Sequence, residues 1–235
     1  MVRPIFRPVS RSAQTVAAPA QRCAAAKFRT LGGAALLLNV LINSAGAAGG
    51  DDAAGMAQLL PQHCHHAGRY DQHIVADGFD DALRSSGAFV FSCDRGLIWA
   101  TTAPVMEVWL YPLKGRPSQR LSSGDYVAVQ SRIHQELGRL LNHLIGGDVA
   151  YLAKYFALAP IANGYQLQPK KQRMSQFIES IQLLLNDGKK VIVLEQAQQT
   201  MTITIVDDQH YENLNHRTCV QHLPTFPGAC TQLLD

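Results

Sequence analysis

The sequence predicts an α+β domain built on one curved antiparallel β-sheet, with short helices gathered on one face. Three observations carry this. Short aromatic and β-branched runs recur between turn residues at hairpin spacing. One strongly helical stretch interrupts them midway. No strand–helix–strand rhythm appears, which argues against a parallel sheet. The chain has 235 residues, 47% apolar and 17% charged. That is enough for one domain with a real core.

Taken in order, residues 49–55 read as a flexible start. Residues 56–60 read as a short helix that Pro61 interrupts. Strands are predicted over 68–76, with Tyr70, Gln72 and Ile74 on one side, then over 87–91 and 96–101. Asp94-Arg95-Gly96 between the last two is a hairpin signal, because glycine takes positive φ freely. Strands over 107–111 and 125–130 follow, separated by a Gly/Pro/Ser-rich turn. Residues 133–145 are the clearest helix: Ile133, Leu137, Leu140, Leu141, Leu144 and Ile145 share one broad apolar face. Gly146 and Gly147 stop it, and Asp148 caps a second helix over 149–155. Strands resume over 164–169, 177–185, 189–196 and 201–206. The last alternates Met201, Ile203 and Ile205 with Thr202 and Thr204. Residues 191–194 are apolar on both faces, as in a strand buried on two sides or a further contact surface. A sheet of eight or more strands twists and curls. Its concave side needs apolar filling, which three short helices supply in full or in part.

Residues 1–47 read as a secretory signal peptide: a basic region, a 12-residue apolar run over 31–42, then small residues. The competing reading is a membrane anchor, but twelve helical residues span only about 18 Å of a hydrocarbon core of about 30 Å. No cysteine follows the run at lipobox distance. The formal charge of +3 depends on this leader, since six of the 21 basic residues precede Asp51. Its removal leaves 15 basic residues against 18 acidic, about −3. A mildly acidic chain without a Lys/Arg stripe is a poor nucleic-acid partner, and it lacks a polybasic membrane patch.

Removal of the leader also takes Cys23, leaving Cys64, Cys93, Cys219 and Cys230. An even count in an oxidising compartment suggests disulfides, with three possible pairings. A local Cys219–Cys230 loop is the cheapest, which leaves Cys64 with Cys93. Cys93 alternatively reads as a buried strand thiol. His63-Cys64-His65-His66 with His73, and His216, Cys219 and His222, are residue types that bind zinc. Neither set has finger or metalloprotease spacing. Nucleophile-elbow, Walker and dinucleotide patterns are missing, so no catalytic residue, metal or cofactor is assigned. A metal-dependent enzyme built on these clusters is the least favoured reading.

Residues 83–104, Leu-Arg-Ser-Ser-Gly-Ala-Phe-Val-Phe-Ser-Cys-Asp-Arg-Gly-Leu-Ile-Trp-Ala-Thr-Thr-Ala-Pro, resemble the strand pair of the LolA-like periplasmic lipoprotein carriers. In that family a Ser-Ser-Gly-aromatic strand precedes Gly-Leu-x-Trp, two Thr-like positions and Pro. Tyr70-Asp71-Gln72, the Gly-Gly-Asp turn within 141–156 and the final Thr-Ile-Thr-Ile strand extend the resemblance to residues 56–208. The resemblance implies an unclosed half-barrel with helices over its concave face, as a lipid-binding domain over 48–208. It also implies a cavity for lipoprotein acyl chains, an inner-membrane release complex and an outer-membrane receptor. Leu97 and Trp99 match inward strand positions, and Leu140, Leu141 and Leu144 a lid helix. Phe89 and Phe91 add flat side chains suited to an alkyl tail. One departure stands out: the family's lid-bonding Arg, six residues after the strand Gly, is Cys93 here. The cargo is therefore an acylated lipoprotein or another lipid, and a lipid-sensing module is a further reading. Exposing a sixteen-carbon chain costs on the order of 12 kcal/mol at about 0.8 kcal/mol per CH₂. Such a ligand needs a cavity that also lets go. The tail, residues 209–235, is assigned no role beyond packing or adding a strand.

Overall fold

The computed structural model describes residues 49–120 and 124–234. The expected leader, with Cys23, lies outside the described residues. The chain runs α1 (Gly49–Ala57), β1 (His65–Ala76), β2 (Leu83–Ser92), β3 (Gly96–Ala103), β4 (Glu107–Pro112), β5 (Ser118–Arg120) and β6 (Tyr126–Ala128). Next come α2 (Arg132–Ile145), α3 (Val149–Tyr155), β7 (Phe156–Ile161), β8 (Gly164–Pro169) and α4 (Gln172–Ser175). It ends with β9 (Ser180–Asn186), β10 (Lys189–Gln196), β11 (Gln199–Tyr211), α5 (His216–His222) and α6 (Pro227–Leu234).

All eleven strands form one antiparallel sheet in the order β6-β5-β4-β3-β2-β1-β11-β10-β9-β8-β7. It is two hairpin-linked meanders, β1–β6 and β7–β11, joined where β1 pairs with β11. The sheet stays open, with β6 and β7 at opposite edges. That topology explains the position of the central helices. The link from β6 to β7 has to travel from one edge to the other. It crosses the concave face and carries α2 and α3 over it.

Strand alternation divides the core in two. Phe89, Phe91, Leu97, Trp99 and Tyr111 point to the face shared with α1, α2 and α3. Their neighbours Ala88, Val90, Ile98, Ala100, Val108 and Leu110 point to the opposite face. The helices expected on the concave face, α1, α2 and α3, lie there, and the tail adds two more on the other face. Cys219, Leu223, Phe226, Ala229, Cys230 and Leu233 of the tail pack on that second face. Helices α5 and α6 therefore make β2–β4 the layer buried on both sides, while Val193 in β10 is only half-buried. The tail also begins inside β11, which runs on to Tyr211.

Other boundaries moved for local reasons. The segment read as a flexible start is α1, which ends at Ala57, ahead of Pro61. Strands β8 and β10 and helix α3 match their sequence-based spans. The segment read as one strand over 177–185 begins only at Ser180, after the helical turn α4. The disulfides are Cys64–Cys93 and Cys219–Cys230. Cys93 is an exposed, bonded residue in the β2–β3 turn, not a buried thiol within a strand.

Helix α2 starts at Ser131, whose hydroxyl accepts from the His134 amide, and α3 starts at Asp148, whose carboxylate accepts from the Tyr151 amide at 2.9 Å. Between them Gly147 has φ +68, and a Cβ there would sit 2.1 Å from the Pro61 carbonyl oxygen. Both the backbone sign and the close approach require glycine. Gly147→Ala is expected to cost about 1–3 kcal/mol, read as a lower urea midpoint; an unchanged midpoint would contradict this tight junction.

Candidate functional site

Helix α2 roofs the concave face unevenly. Its C-terminal half is buried at Gly138, Leu140, Leu141, Asn142, Leu144 and Ile145. Gly138 lets the helix backbone approach Tyr111, because an added Cβ would lie 2.2 Å from that ring. Asn142 donates to the Tyr111 carbonyl at 2.9 Å. His66 is 2% exposed and donates from Nδ1 to Asp208 and from Nε2 to the Ile145 carbonyl, both at 2.8 Å. These polar ties fasten the end of α2 to β4 and β1. Only about 30 Å³ of space remains under this half, lined by Phe89, Leu144 and His66, about the volume of one water molecule.

The N-terminal half is looser. Ile133 is 51% exposed and Leu137 half-buried. Beneath it lies an apolar cavity of about 220 Å³. Leu137 and Leu140 of α2, Tyr151 and Tyr155 of α3, Met174 of α4, and Phe177 and Ile178 line it. Its open side carries Glu136, Arg139, Lys171 and Arg173. Glu136 accepts from Arg139 at 3.1 Å and from Arg173 at 3.2 Å, which links α2 to α4. The Lys154 and Lys171 ammonium groups stand 5.3 and 5.1 Å from the Tyr155 ring centre.

All seven residues assigned to lipid from the sequence sit in one cluster on the concave face: Phe89, Phe91, Leu97, Trp99, Leu140, Leu141 and Leu144. Each is 6% exposed or less. Trp99 stacks on Tyr70 at 3.9 Å and lies 6.1 Å from Phe89. They are packed core, and Leu140 alone of the seven lines the 220 Å³ space. Sequence reasoning missed Tyr151, Tyr155, Met174, Phe177 and Ile178. The spacing of Met174, Phe177 and Ile178 was the available signal, three apolar residues at helical intervals.

The histidine and cysteine clusters resolve differently. His63 stacks on His210 at 3.9 Å, and His222 bonds Tyr211. Donor atoms of Cys64, His65, Cys93 and Asp94 lie within 4.8 Å of one another. Both sulfurs of that group are joined in the disulfide, which removes them as thiolate ligands. Among the described residues, no helix is long and apolar enough to cross a membrane.

Several titratable groups respond to pH in one direction. Burial lowers the His143 and His222 imidazoles below their ordinary 6.5, against smaller opposing effects of Asp148 and Asp207. Burial tends to raise the Asp208 carboxyl, but the bonds and charges of His66 and Lys190 outweigh it and hold it below 3.8. Groups depressed in the folded state stabilise it above their unfolded values and lose that stabilisation as pH falls. The melting temperature is expected to drop first below about pH 6.5 and again in the carboxylate range. Thermal melts from pH 8 to 3 check this; a rise in melting temperature on acidification would contradict it.

No family model matches the chain, and no curated protein matches it. Several solved structures do. A LolA superfamily protein from Nitrosomonas europaea is 11% identical, over 70% of this chain and 94% of that one, with a TM-score of 0.41. An outer-membrane lipoprotein-sorting protein domain from Vibrio parahaemolyticus is 6% identical, over 75% and 97%, at 0.40. A chain of the Pseudomonas aeruginosa MucA/MucB complex is 14% identical, over 69% and 57%, at 0.35. At such TM-scores and identities these likenesses carry no argument about what the chain does.

Proposed function

We propose that this chain is a carrier that shields acyl chains and performs no chemistry. The observation that supports it is the apolar cavity under the loose half of α2. Its wall is shared, through Leu140, with the aromatic face of the sheet. Cavities for drug-sized ligands measure roughly 300–1,000 Å³. The 220 Å³ space is therefore the closed state, which takes an acyl chain when the N-terminal half of α2 swings outward. The anchored end of α2, at Asn142, Ile145 and Gly147, serves as the pivot. A lid fastened by a few hydrogen bonds, each worth about 1 kcal/mol net, opens without a nucleotide.

The sequence resemblance extends this reading. Residues 1–47 export the chain to the periplasm, and residues 48–208 bind an acylated lipoprotein or another lipid. An inner-membrane release complex loads the cargo, and an outer-membrane receptor takes it. Phe89, Phe91, Leu97 and Trp99 of the sheet, and Leu141 and Leu144 on the underside of α2, contact the chain only after the helix swings outward. Native mass spectrometry on protein purified gently from its own periplasm tests the proposal. Acylated peptide or lipid is expected to co-purify. A bare protein mass that stays unchanged after incubation with a synthetic triacylated lipopeptide would overturn the carrier reading.

A further inference from the structure

The charge at the cavity mouth is out of proportion to the chain. Residues after the leader carry 15 basic and 18 acidic side chains. Yet the cavity's open side presents Arg139, Lys171 and Arg173 against one acid, Glu136. That carboxylate is already shared by both arginines. Lys154 adds a fourth cation, on the same Tyr155 ring as Lys171. Among the described residues, neither lysine makes an ion pair with a carboxylate. Two ammonium groups drawn to one aromatic ring repel each other, and the cation–π attraction offsets only part of that cost. An anion bound beside Lys171 screens that repulsion.

Geometry says where the anion belongs. Tyr155 lines the apolar space and bears Lys171, a lining residue itself, at its rim. A ligand whose tail lies along Leu137, Tyr151 and Met174 brings its polar end to this rim. We propose that the ligand is an amphiphile with an anionic group, phosphate or carboxylate, next to its acyl chain. Arg139, Lys171 and Arg173, the cations that line the cavity, read that group. The inference rests on the acyl-carrier reading and narrows its cargo. Arginine supplies planar paired donors and lysine a point charge, a combination suited to an oxyanion. A neutral glyceride leaves these cations unused.

The test is isothermal titration of the protein with three probes below their critical micelle concentrations. These are palmitoyl lysophosphatidylglycerol, monopalmitoylglycerol and inorganic phosphate. The anionic lipid is expected to bind at least about tenfold tighter than the neutral one, as charge-assisted bonds imply. The preference is expected to shrink with added salt. In Lys171→Gln/Arg173→Gln, two exposed positions, the ratio of the two affinities is expected to fall close to one. Equal affinities for the two lipids in the unaltered protein would overturn the charge inference and leave the carrier reading intact. A ratio unchanged in the double variant would also overturn it. Failure of both lipids to bind would sink the carrier reading itself. Binding of inorganic phosphate as tight as that of the anionic lipid would assign the site to a free anion and overturn the amphiphile.

Discussion

Trp99→Ala is expected to remove about 3–5 kcal/mol of stability. The indole is 6% exposed and sits in the middle of an aromatic row, with Phe89 opposite it on β2 and Trp109 opposite it on β4. It stacks on Tyr70 at 3.9 Å, and the Tyr70 hydroxyl bonds Thr101 at 2.9 Å. Removing it leaves a void that neighbouring rings cannot fill. Strands β2 and β3 are held from behind by α5 and α6, so the backbone has little freedom to collapse into the gap. Urea denaturation measures the effect. Trp99→Phe keeps a ring and should lose clearly less. A cost below about 1 kcal/mol for the alanine variant would mean that the concave face is loosely packed even when closed.

Ending the chain at Tyr211 is expected to do more damage than any single substitution. Helices α5 and α6 cover Val90, Ile98, Val108 and Leu110 on the convex face. Each large apolar side chain returned to water costs about 1.5–3 kcal/mol, so uncovering four costs more than about 5 kcal/mol. The Cys219–Cys230 bond lies wholly inside this cluster, with both residues 0% exposed. It holds the two short helices together as one cap. The truncated chain is expected to be insoluble, or to bind a hydrophobic dye without heat. A soluble, cooperatively melting truncated protein would show that the cap is dispensable.

The parts of the fold written in the sequence are those whose signal is local. The apolar stripe from Leu137 to Ile145, the double glycine and the Asp148 cap set α2 and α3 almost to the residue. Strands β8 and β10 follow from their flanking turns, with Asn163, Asp187 and Gly188 at positive φ. What was illegible depended on tertiary structure. Strand β5, Ser118–Arg120, has no apolar residue and exists because β4 and β6 pair with it. The tail has a helical stripe through Cys219, Leu223, Phe226, Ala229, Cys230 and Leu233, but Pro224, Pro227 and Gly228 break its period. Its packing face becomes visible only once β2–β4 present an uncovered convex side.

The site was legible to the same degree. The seven assigned residues do share one face, because strand alternation and helix period are local rules. Except for Leu140 they are packed core rather than lining of the open space. The cavity is created where α4 brings Met174 and Arg173 against α2, a contact between positions far apart in sequence. No periodicity argument reaches that. The Cys64–Cys93 bond occupies the place where the resemblance led to an arginine. Helix α2 is instead fastened by His66 to the Ile145 carbonyl and by Asn142 to the Tyr111 carbonyl.

The most direct measurement is photo-crosslinking with a palmitoyl probe that carries a diazirine near the end of its chain. Adducts are then located by peptide mass spectrometry. They are expected on residues 133–155 and 172–178, around Leu137, Leu140, Tyr151, Met174 and Phe177. Adducts confined to the α5–α6 cap, or none above the level seen with denatured protein, would contradict an acyl chain held beneath α2.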